Sequence, residues 1–338
     1  MRAPAFWAER EPSFAAQLLR PVAAIYGAVA GWRISRAGEQ ATLPVICVGN
    51  FTVGGTGKTP TVLALARMLI QLGERPAFLT RGYGGRLAGP AQVDLERHGP
   101  ADVGDEPLLL ARTAPTIVSR DRPAGARACI AAGASVIVMD DGLQNPSLGK
   151  DLALTVLDGA NGIGNGLCLP AGPLRAPLAA QWPVVDAIIV VGQGTPGEIL
   201  ADEALSQGKQ VLRARLEPGS DAAARLRGRR VLAFAGIGRP EKFFDTLEAC
   251  GATVVRTRAF ADHHPYSENE IRALREAARN ESLLPVTTEK DHVRIVALGG
   301  ELAEGVASLP VTLAFADEGA VRARLSGMLR TAEPSEPG

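Results

Sequence analysis

The stretch from Val45 to Thr59, VICVGNFTVGGTGKT, constrains this chain more than any other, because a short apolar run breaks into a glycine-rich turn ending in Lys-Thr. Such a turn between a strand and a helix lets successive backbone N–H groups point at a polyphosphate, and the helix N-terminus adds its dipole. Thr52, Val53, Gly54, Gly55, Thr56, Gly57, Lys58 and Thr59 are therefore the candidate nucleotide cradle. Lys58 is placed to reach the β and γ phosphates, and the Thr59 hydroxyl to ligate Mg²⁺ beside ATP. The usual spacing asks for glycine where this chain has Thr52, so Gly54, Gly55 and Gly57 must supply the backbone freedom. Partition-type ATPases carry a lysine immediately before GGxGK. Val53 stands there, which argues against a dimer-dependent ATPase switch.

Around this loop, strand-like runs alternate with helical stretches, the rhythm of a parallel sheet covered on both faces. The strands are expected at Pro44–Val48, Pro76–Leu79, Thr116–Val118, Ser135–Met139, Leu152–Leu157 and Ala187–Val191. A second series follows Leu226: strands at Val231–Gly236, Thr253–Thr257 and Pro285–Thr288, with helices at Pro240–Cys250 and Ser267–Asn280. The fold class is thus α/β, a P-loop NTPase-type parallel sheet with helices on both faces, plus a smaller α/β domain, preceded by an N-terminal segment that can lie as an interfacial helix. The divisions expected are 1–40 for the N-terminal segment, 41–220 for the P-loop domain, 221–318 for the smaller domain and 319–338 for a helix and disordered tail. Between the domains, Gln210 to Arg229 reads as a charged, flexible boundary, and Gly159–Pro177, rich in Gly and Pro, as a long surface loop.

Acidic residues cluster where a metal would be needed. SVIVMDDG (Ser135–Gly142) is a buried strand ending in Asp140 and Asp141, the place of the Mg²⁺-organising carboxylate in P-loop folds. Alternation along a strand sends the two to opposite faces, so one is expected to ligate Mg²⁺ directly and the other through water. In VGDEP, Pro107 sits in a first helical turn and makes Asp105 or Glu106 the cap, with a catalytic or metal role as the alternative. Of four histidines, His263 and His264 are adjacent in FADHHPYSENE; Asp262 could hold an imidazole in one tautomer, or the segment could simply precede a helix capped by Ser267.

Balanced charge, Lys+Arg 36 against Asp+Glu 36, leaves no field to attract nucleic acid. Cys47, Cys129, Cys168 and Cys250 are too scattered for a zinc site or a disulfide framework, and nothing in the pattern calls for a protein partner. No stretch reads as the roughly 18–20 unbroken apolar residues that span a bilayer. The nearest, Phe14–Ile34, is interrupted by Pro21 and lacks a cleavage site. It can form a short helix with Trp7, Tyr26 and Trp32 at a lipid interface and Arg10, Arg20, Arg33 and Arg36 flanking it, or pack as an ordinary domain helix.

Taken together, VGNFTVGGTGKTP, TRGYGG (Thr80–Gly85), VGDEP, SRDR (Ser119–Arg122), MDDGLQ (Met139–Gln144), LPAGPLR (Leu169–Arg175), FADHHPY and TTEKD (Thr287–Asp291) resemble the tetraacyldisaccharide 4'-kinases. The likeness runs from about Phe14 to Ala316 and includes the TVGGTGKT variant of the loop. It implies transfer of phosphate from Mg·ATP to the 4' hydroxyl of an acylated glucosamine disaccharide 1-phosphate, giving lipid IV-A. It further implies that Asp105 and His263 form the acid–base pair, that Glu106, Asp140 and Asp141 organise Mg²⁺ and ATP, and that the N-terminal helix lies on the cytoplasmic face of the inner membrane of a Gram-negative bacterium. Arg81, Arg120 and Arg122, with Tyr83, are candidates to bind phosphates of the nucleotide or the lipid disaccharide, surface salt bridging being the rival for the arginines.

Overall fold

A computed structural model describes residues 4–9 and 13–332. Among these residues, thirteen strands form two sheets. The larger contains β1 (Val45–Gly49), β2 (Pro76–Thr80), β3 (Ala91–Gln92), β4 (Thr116–Val118), β5 (Val136–Asp140), β6 (Leu152–Asp158), β7 (Ala187–Val191) and β8 (Gln210–Pro218). The smaller contains β9 (Arg230–Ala235), β10 (Thr253–Ala259), β11 (Leu284–Thr288) and β12 (Ala307–Leu309); β13 (Val311–Phe315) then returns to the larger sheet.

In the larger sheet the order is β13-β8-β7-β6-β1-β5-β2-β4-β3, parallel except for the antiparallel edge strands β13 and β3. Period-two alternation feeds two separate cores: Ile46 and Val48 join one face, Val45 and Cys47 the other, and all four are buried. The chain runs from β1 to β2 on one side and from β5 across β1 to β6 on the other. The order therefore switches at β1, and the carboxyl ends of β1, β5 and β6 open the crevice where such sheets bind ligands.

The smaller sheet, β10-β9-β11-β12, is wholly parallel. It leaves and re-enters at one point: Val311 pairs with Pro218 across β13 and β8, and Gly219 N–H donates to Pro310 O at 2.9 Å. The smaller unit is thus an insertion on a two-strand stem. The interval 221–318 differs from this at its end, since Val311–Phe315 belongs to the larger sheet.

Three further expectations change. Gln210–Arg229 is not a flexible boundary but β8 followed by a helix at Ser220–Leu226; Leu212 and Ala214 are buried while Arg213 and Arg215 lie on the open face, which masks the strand. Gly159–Pro177 is irregular as expected yet lies inward, with Ala171, Leu174 and Ala176 buried. Its main chain props the glycine-rich loop, Val53 N–H donating to Pro173 O and Arg175 N–H to Phe51 O, each at 2.9 Å. The N-terminal helix runs unbroken over Phe14–Ile34 through Pro21, 21 residues capped by Ser13, and by length and composition it is long and apolar enough to cross a membrane. Ala16, Ala23, Gly27 and Ile34 face the body, where Gly27 abuts Cys168 and Pro177. Trp7 spends its indole N–H on Pro170 O at 3.1 Å. Arg10 and the tail beyond Ala332 lie outside the described residues.

Candidate active site

The glycine-rich loop leaves β1 at Gly49, where an added Cβ would lie 2.5 Å from the Leu143 Cβ. Asn50 is fully buried and its amide donates to Gly54 O and Thr56 Oγ1, both at 3.4 Å, which fixes the arch of the loop. Gly54 and Gly57 have φ of 112° and 94°, in the left-handed region that side chains avoid. Nothing lies within 4 Å of a Cβ built on Gly54 or Gly55, so the loop borders open space of the kind a phosphate would fill. Gly57 caps the Lys58–Gln71 helix, which puts Lys58 and Thr59 in its first turn, one residue earlier than the expected start near Thr59.

Beside them ends β5. Asp140 is 1% exposed, and its Oδ1 has no hydrogen-bond partner among the described residues. Burial first, then the nearby charges of Glu106 and Asp141, push its carboxyl up to about 7. Asp141 leaves the strand with φ 55°, so the simple alternation argument stops applying at this residue. Arg175 grips its carboxylate bidentately at 3.0 and 3.1 Å, and Lys58 Nζ stands 3.9 Å away. Burial alone would raise Asp141, but these cations outweigh it and hold the carboxyl below the usual range.

Neither acid of VGDEP is the helix cap. Gly104 takes that position with φ 90°, and a Cβ there would sit 2.4 Å from the Tyr83 carbonyl oxygen. Asp105 and Glu106 thereby occupy the first turn and turn toward the crevice. Glu106 Oε1 accepts from Thr59 Oγ1 at 3.4 Å and pairs with Lys290 of the inserted unit. Lys290, followed by burial acting in the opposite sense, holds the Glu106 carboxyl low.

His263 also comes from the inserted unit, in the loop after β10, and its Nδ1 lies 3.3 Å from Asp105 Oδ2. Its φ of 55° is left-handed, a conformation that a non-glycine residue holds only where its surroundings impose it. Burial would raise Asp105, but the His263 hydrogen bond and the Arg294 and Lys290 charges keep it well below the carboxylate range. The hydrogen bond to Asp105 raises His263 in turn, against its partial burial. Asp262 is farther, 3.9 Å from Nε2. His264 stacks on Phe260 at 4.7 Å and meets Glu270 at 3.0 Å, so only the first histidine of the pair reaches the crevice. Ser267 caps the following helix in a reciprocal box with Glu270, as its position suggests.

The remaining candidates separate. Tyr83 is 70% exposed with its ring 5.6 Å from that of His263, and Arg81 and Arg120 are exposed, Arg120 donating to Gly85 O at 3.5 Å. Arg122 is buried instead and donates to the carbonyls of Asp140 and Asp141 at 3.4 Å, propping the end of β5. None of the three arginines pairs with a carboxylate among the described residues.

Sequence reasoning assigned no role to Lys290, Arg294 or Arg175. Arg294 is buried and donates to Asp105, to Asp291 at 2.7 Å and to Gly236 O at 3.1 Å. A usable signal existed: behind the Thr288 cap, Lys290 and Arg294 are four apart on one helix and must share a face.

The donor set suits Mg²⁺. No group of three His, Cys, Asp or Glu side chains forms a closed metal cage among the described residues. An unpartnered buried carboxylate on Asp140, with Thr59 and Glu106 adjoining, is instead what an ion sharing its shell with phosphate and water requires.

The family model for tetraacyldisaccharide-1-P 4'-kinase (LpxK) matches residues 15–330. The chain is 60% identical over 332 residues to the tetraacyldisaccharide 4'-kinase of Methylobacterium sp. (strain 4-46), covering 98% of each chain. It is 52% identical to the enzyme of that name from Bradyrhizobium sp. (strain BTAi1), covering 100% of this chain and 98% of the relative. The crystal structure of an "apo" form of LpxK from Aquifex aeolicus in complex with ATP superposes with a TM-score of 0.74 at 25% identity, over 93% of this chain and 99% of that one. A match of this extent, on a chain whose loop, paired acids and cross-crevice histidine converge on one site, means that the protein belongs to the tetraacyldisaccharide-1-P 4'-kinase family.

Proposed function

We propose that the chain transfers the γ-phosphate of ATP to the 4' hydroxyl of a tetraacyl glucosamine disaccharide 1-phosphate, forming lipid IV-A in lipid A biosynthesis. One observation carries the reading at the level of chemistry: His263 of the inserted unit meets Asp105 beside the glycine-rich loop. A proton-accepting pair thus stands where a phosphate donor would present its terminal group.

Residues 52–59 hold the polyphosphate, with Lys58 on its outer oxygens. Thr59, Asp140 and Glu106 would hold Mg²⁺, which would supply positive charge to neutralise phosphate oxygens. Asp141, gripped by Arg175 and facing Lys58, orients that lysine and supports the metal shell through water. Asp105 keeps the Nδ1 proton of His263 and leaves Nε2 to take the proton of the acceptor hydroxyl. Aligning that hydroxyl with the γ-phosphate matters more than its full deprotonation, and two units closing on a stem supply alignment. Arg81, Tyr83 and Arg120 form the rim toward the acceptor.

The acylated substrate requires access from a bilayer. Phe14, Leu18, Val22, Ile25 and Trp32 line the outer face of the N-terminal helix, with Leu18 71% and Ile25 70% exposed. Its inner face is small residues seated on the body, so the helix is fitted to lie in the interface rather than to stand free. Arg20, Arg33 and Arg36 border it, Arg36 resting 4.7 Å above the Trp32 ring. We place this contact at the cytoplasmic face of the inner membrane.

The test is transfer of labelled phosphate from Mg·ATP to the tetraacyl disaccharide 1-phosphate in detergent micelles, with Lys58→Ala as control. A new 4' phosphate that the control does not make is the expected product. ATP binding without transfer would remove the lipid kinase reading.

A further inference from the structure

Two cations of the Glu289–Val296 helix cross the crevice to two adjacent acids, Arg294 to Asp105 and Lys290 to Glu106. The pairs differ in how firmly they are closed. The Arg294 and Asp105 side chains are 8% and 4% exposed, whereas those of Lys290 and Glu106 are 29% and 26% exposed. Arg294 is also tied to Asp291 and to Gly236 O, so it is anchored at several points. Lys290 has a flexible stem, and its ammonium shares Glu106 Oε1 with the hydroxyl of Thr59.

Glu106 has two calls on it. Its Oε1 accepts from both Thr59 and Lys290, and it adjoins the unpartnered carboxylate of Asp140. Once Glu106 and Thr59 turn to a divalent ion, the carboxylate no longer needs the ammonium. An ammonium released there faces like charge from the ion, and the terminal phosphate of a nucleotide held in the glycine-rich loop would offer it anionic oxygens beside the carboxylates of Asp105 and Asp140.

We propose that Lys290 is a catalytic residue of the phosphoryl transfer, exchanging Glu106 for the non-bridging oxygens of the transferring group when Mg·ATP is bound. This rests on the kinase reading above. In the step, the acceptor oxygen bonds to Pγ while the bond from Pγ to the β,γ-bridging oxygen breaks. The electron pair of that bond leaves with ADP, the hydroxyl proton passes to the Asp105–His263 pair, and Lys290 donates hydrogen bonds without losing its proton. The inserted unit would then bring both the base and a charge-stabilising cation, so the phosphate is activated only when that unit is docked on the nucleotide half.

The experiment compares the full chain with Lys290→Met and Lys290→Arg in the micelle transfer assay, beside binding of Mg·ATP, ADP and ADP with aluminium fluoride, a mimic of the transferring group. For Lys290→Met, kcat should fall about 100- to 1000-fold while ATP and ADP affinities change by less than about threefold. Affinity for the ADP–aluminium fluoride complex should fall with kcat, and Lys290→Arg should regain part of both. Lys290→Gln, which retains a donor to Glu106, replaces the methionine variant should that one not fold. A kcat within about fivefold of the unaltered chain, or equal weakening of ATP and of the mimic, would reduce Lys290 to a tether between the units. No transfer by the unaltered chain would remove the kinase reading and this inference with it, whereas transfer with an indifferent Lys290→Met removes this inference alone.

Discussion

Arg294→Met takes away a guanidinium whose 8% exposed side chain serves two carboxylates, Asp105 at 4% and Asp291 at 0% exposure. Methionine fills much the same volume, so the change isolates charge and hydrogen bonding from packing. Removing one partner of a buried pair costs about 3–5 kcal/mol, because the other charge stays buried and uncompensated. Asp291 keeps the Gly236 N–H, the Tyr266 hydroxyl at 3.1 Å and the Thr288 hydroxyl at 2.6 Å. Asp105 keeps the Glu106 N–H at 3.1 Å and His263. These remaining donors put the cost at the lower end, about 3 kcal/mol, which lowers a melting temperature by about 6–12 °C for units of this size. Asp105 is depressed in the folded state, so its part of the stabilisation is present above the unfolded carboxyl pKa and lost as pH falls through the folded value. The melting difference between variant and parent, followed by circular dichroism, should therefore be full at neutral pH and shrink in acid. The double variant with Asp105→Asn should recover part of the loss, since the stranded charge is gone. A melting temperature within about 2 °C of the parent at neutral pH would refute the claim that this pair fastens the inserted unit to the nucleotide half.

Two further outcomes are expected. His263 faces Asp105 and Asp262, which raise its pKa, and burial and Arg294, which lower it, with the Tyr83 ring alongside; as a base it works neutral, so kcat/KM should rise with pH through a midpoint above the ordinary value of about 6.5. Asp105→Asn should move that midpoint to lower pH as well as cut turnover, and an unmoved midpoint would dissolve the pair as the proton acceptor. Replacing Leu18 and Ile25 together by glutamate should weaken sedimentation with anionic vesicles by at least about 100-fold, from about 1.5–3 kcal/mol of burial lost per side chain, while the melting temperature holds because neither packs in the core; unchanged sedimentation would take the helix off the membrane.

What the chain reveals before folding depends on the range of the interaction. The strand, turn and helix around Lys58 are set by neighbours, and β1, β5 and β7 fall within a residue of their expected places because continuous apolar runs mark strands buried on both faces. β8 escaped the same reading because it is half open: Arg213 on its outer face pairs with Glu198, and only Leu212 and Ala214 keep the buried rhythm. Pro21, costly in a helix interior, interrupts the apolar stretch as a membrane span, yet the helix runs on through it, with the inward residues Ala16, Ala23 and Gly27 seated against the body. Asp105 and Glu106 were candidates for a cap; Gly104 takes that duty, which frees both acids for the crevice.

The roles of Lys290 and Arg294 lie beyond local pattern for a different reason. Their partners Glu106 and Asp105 are 184 and 189 positions away, brought opposite them by the stem at Pro218 and Val311. Asp158, at the carboxyl end of β6, likewise receives Arg239 and Lys242 from the inserted unit. The acids in all three contacts belong to the nucleotide half and the cations to the insertion; among the described residues the one reversed pair, Arg112 with Glu289, is exposed at the edge. A net charge of zero conceals this division completely. If one of these carboxylates turns to a metal ion, as proposed for Glu106, the contact it makes with the insertion would have to be given up. On the proposal made for Lys290, the sealed pair at Asp105 would persist through that exchange while the more open pair at Glu106 would not, and the two neighbouring acids would have different duties in one catalytic cycle.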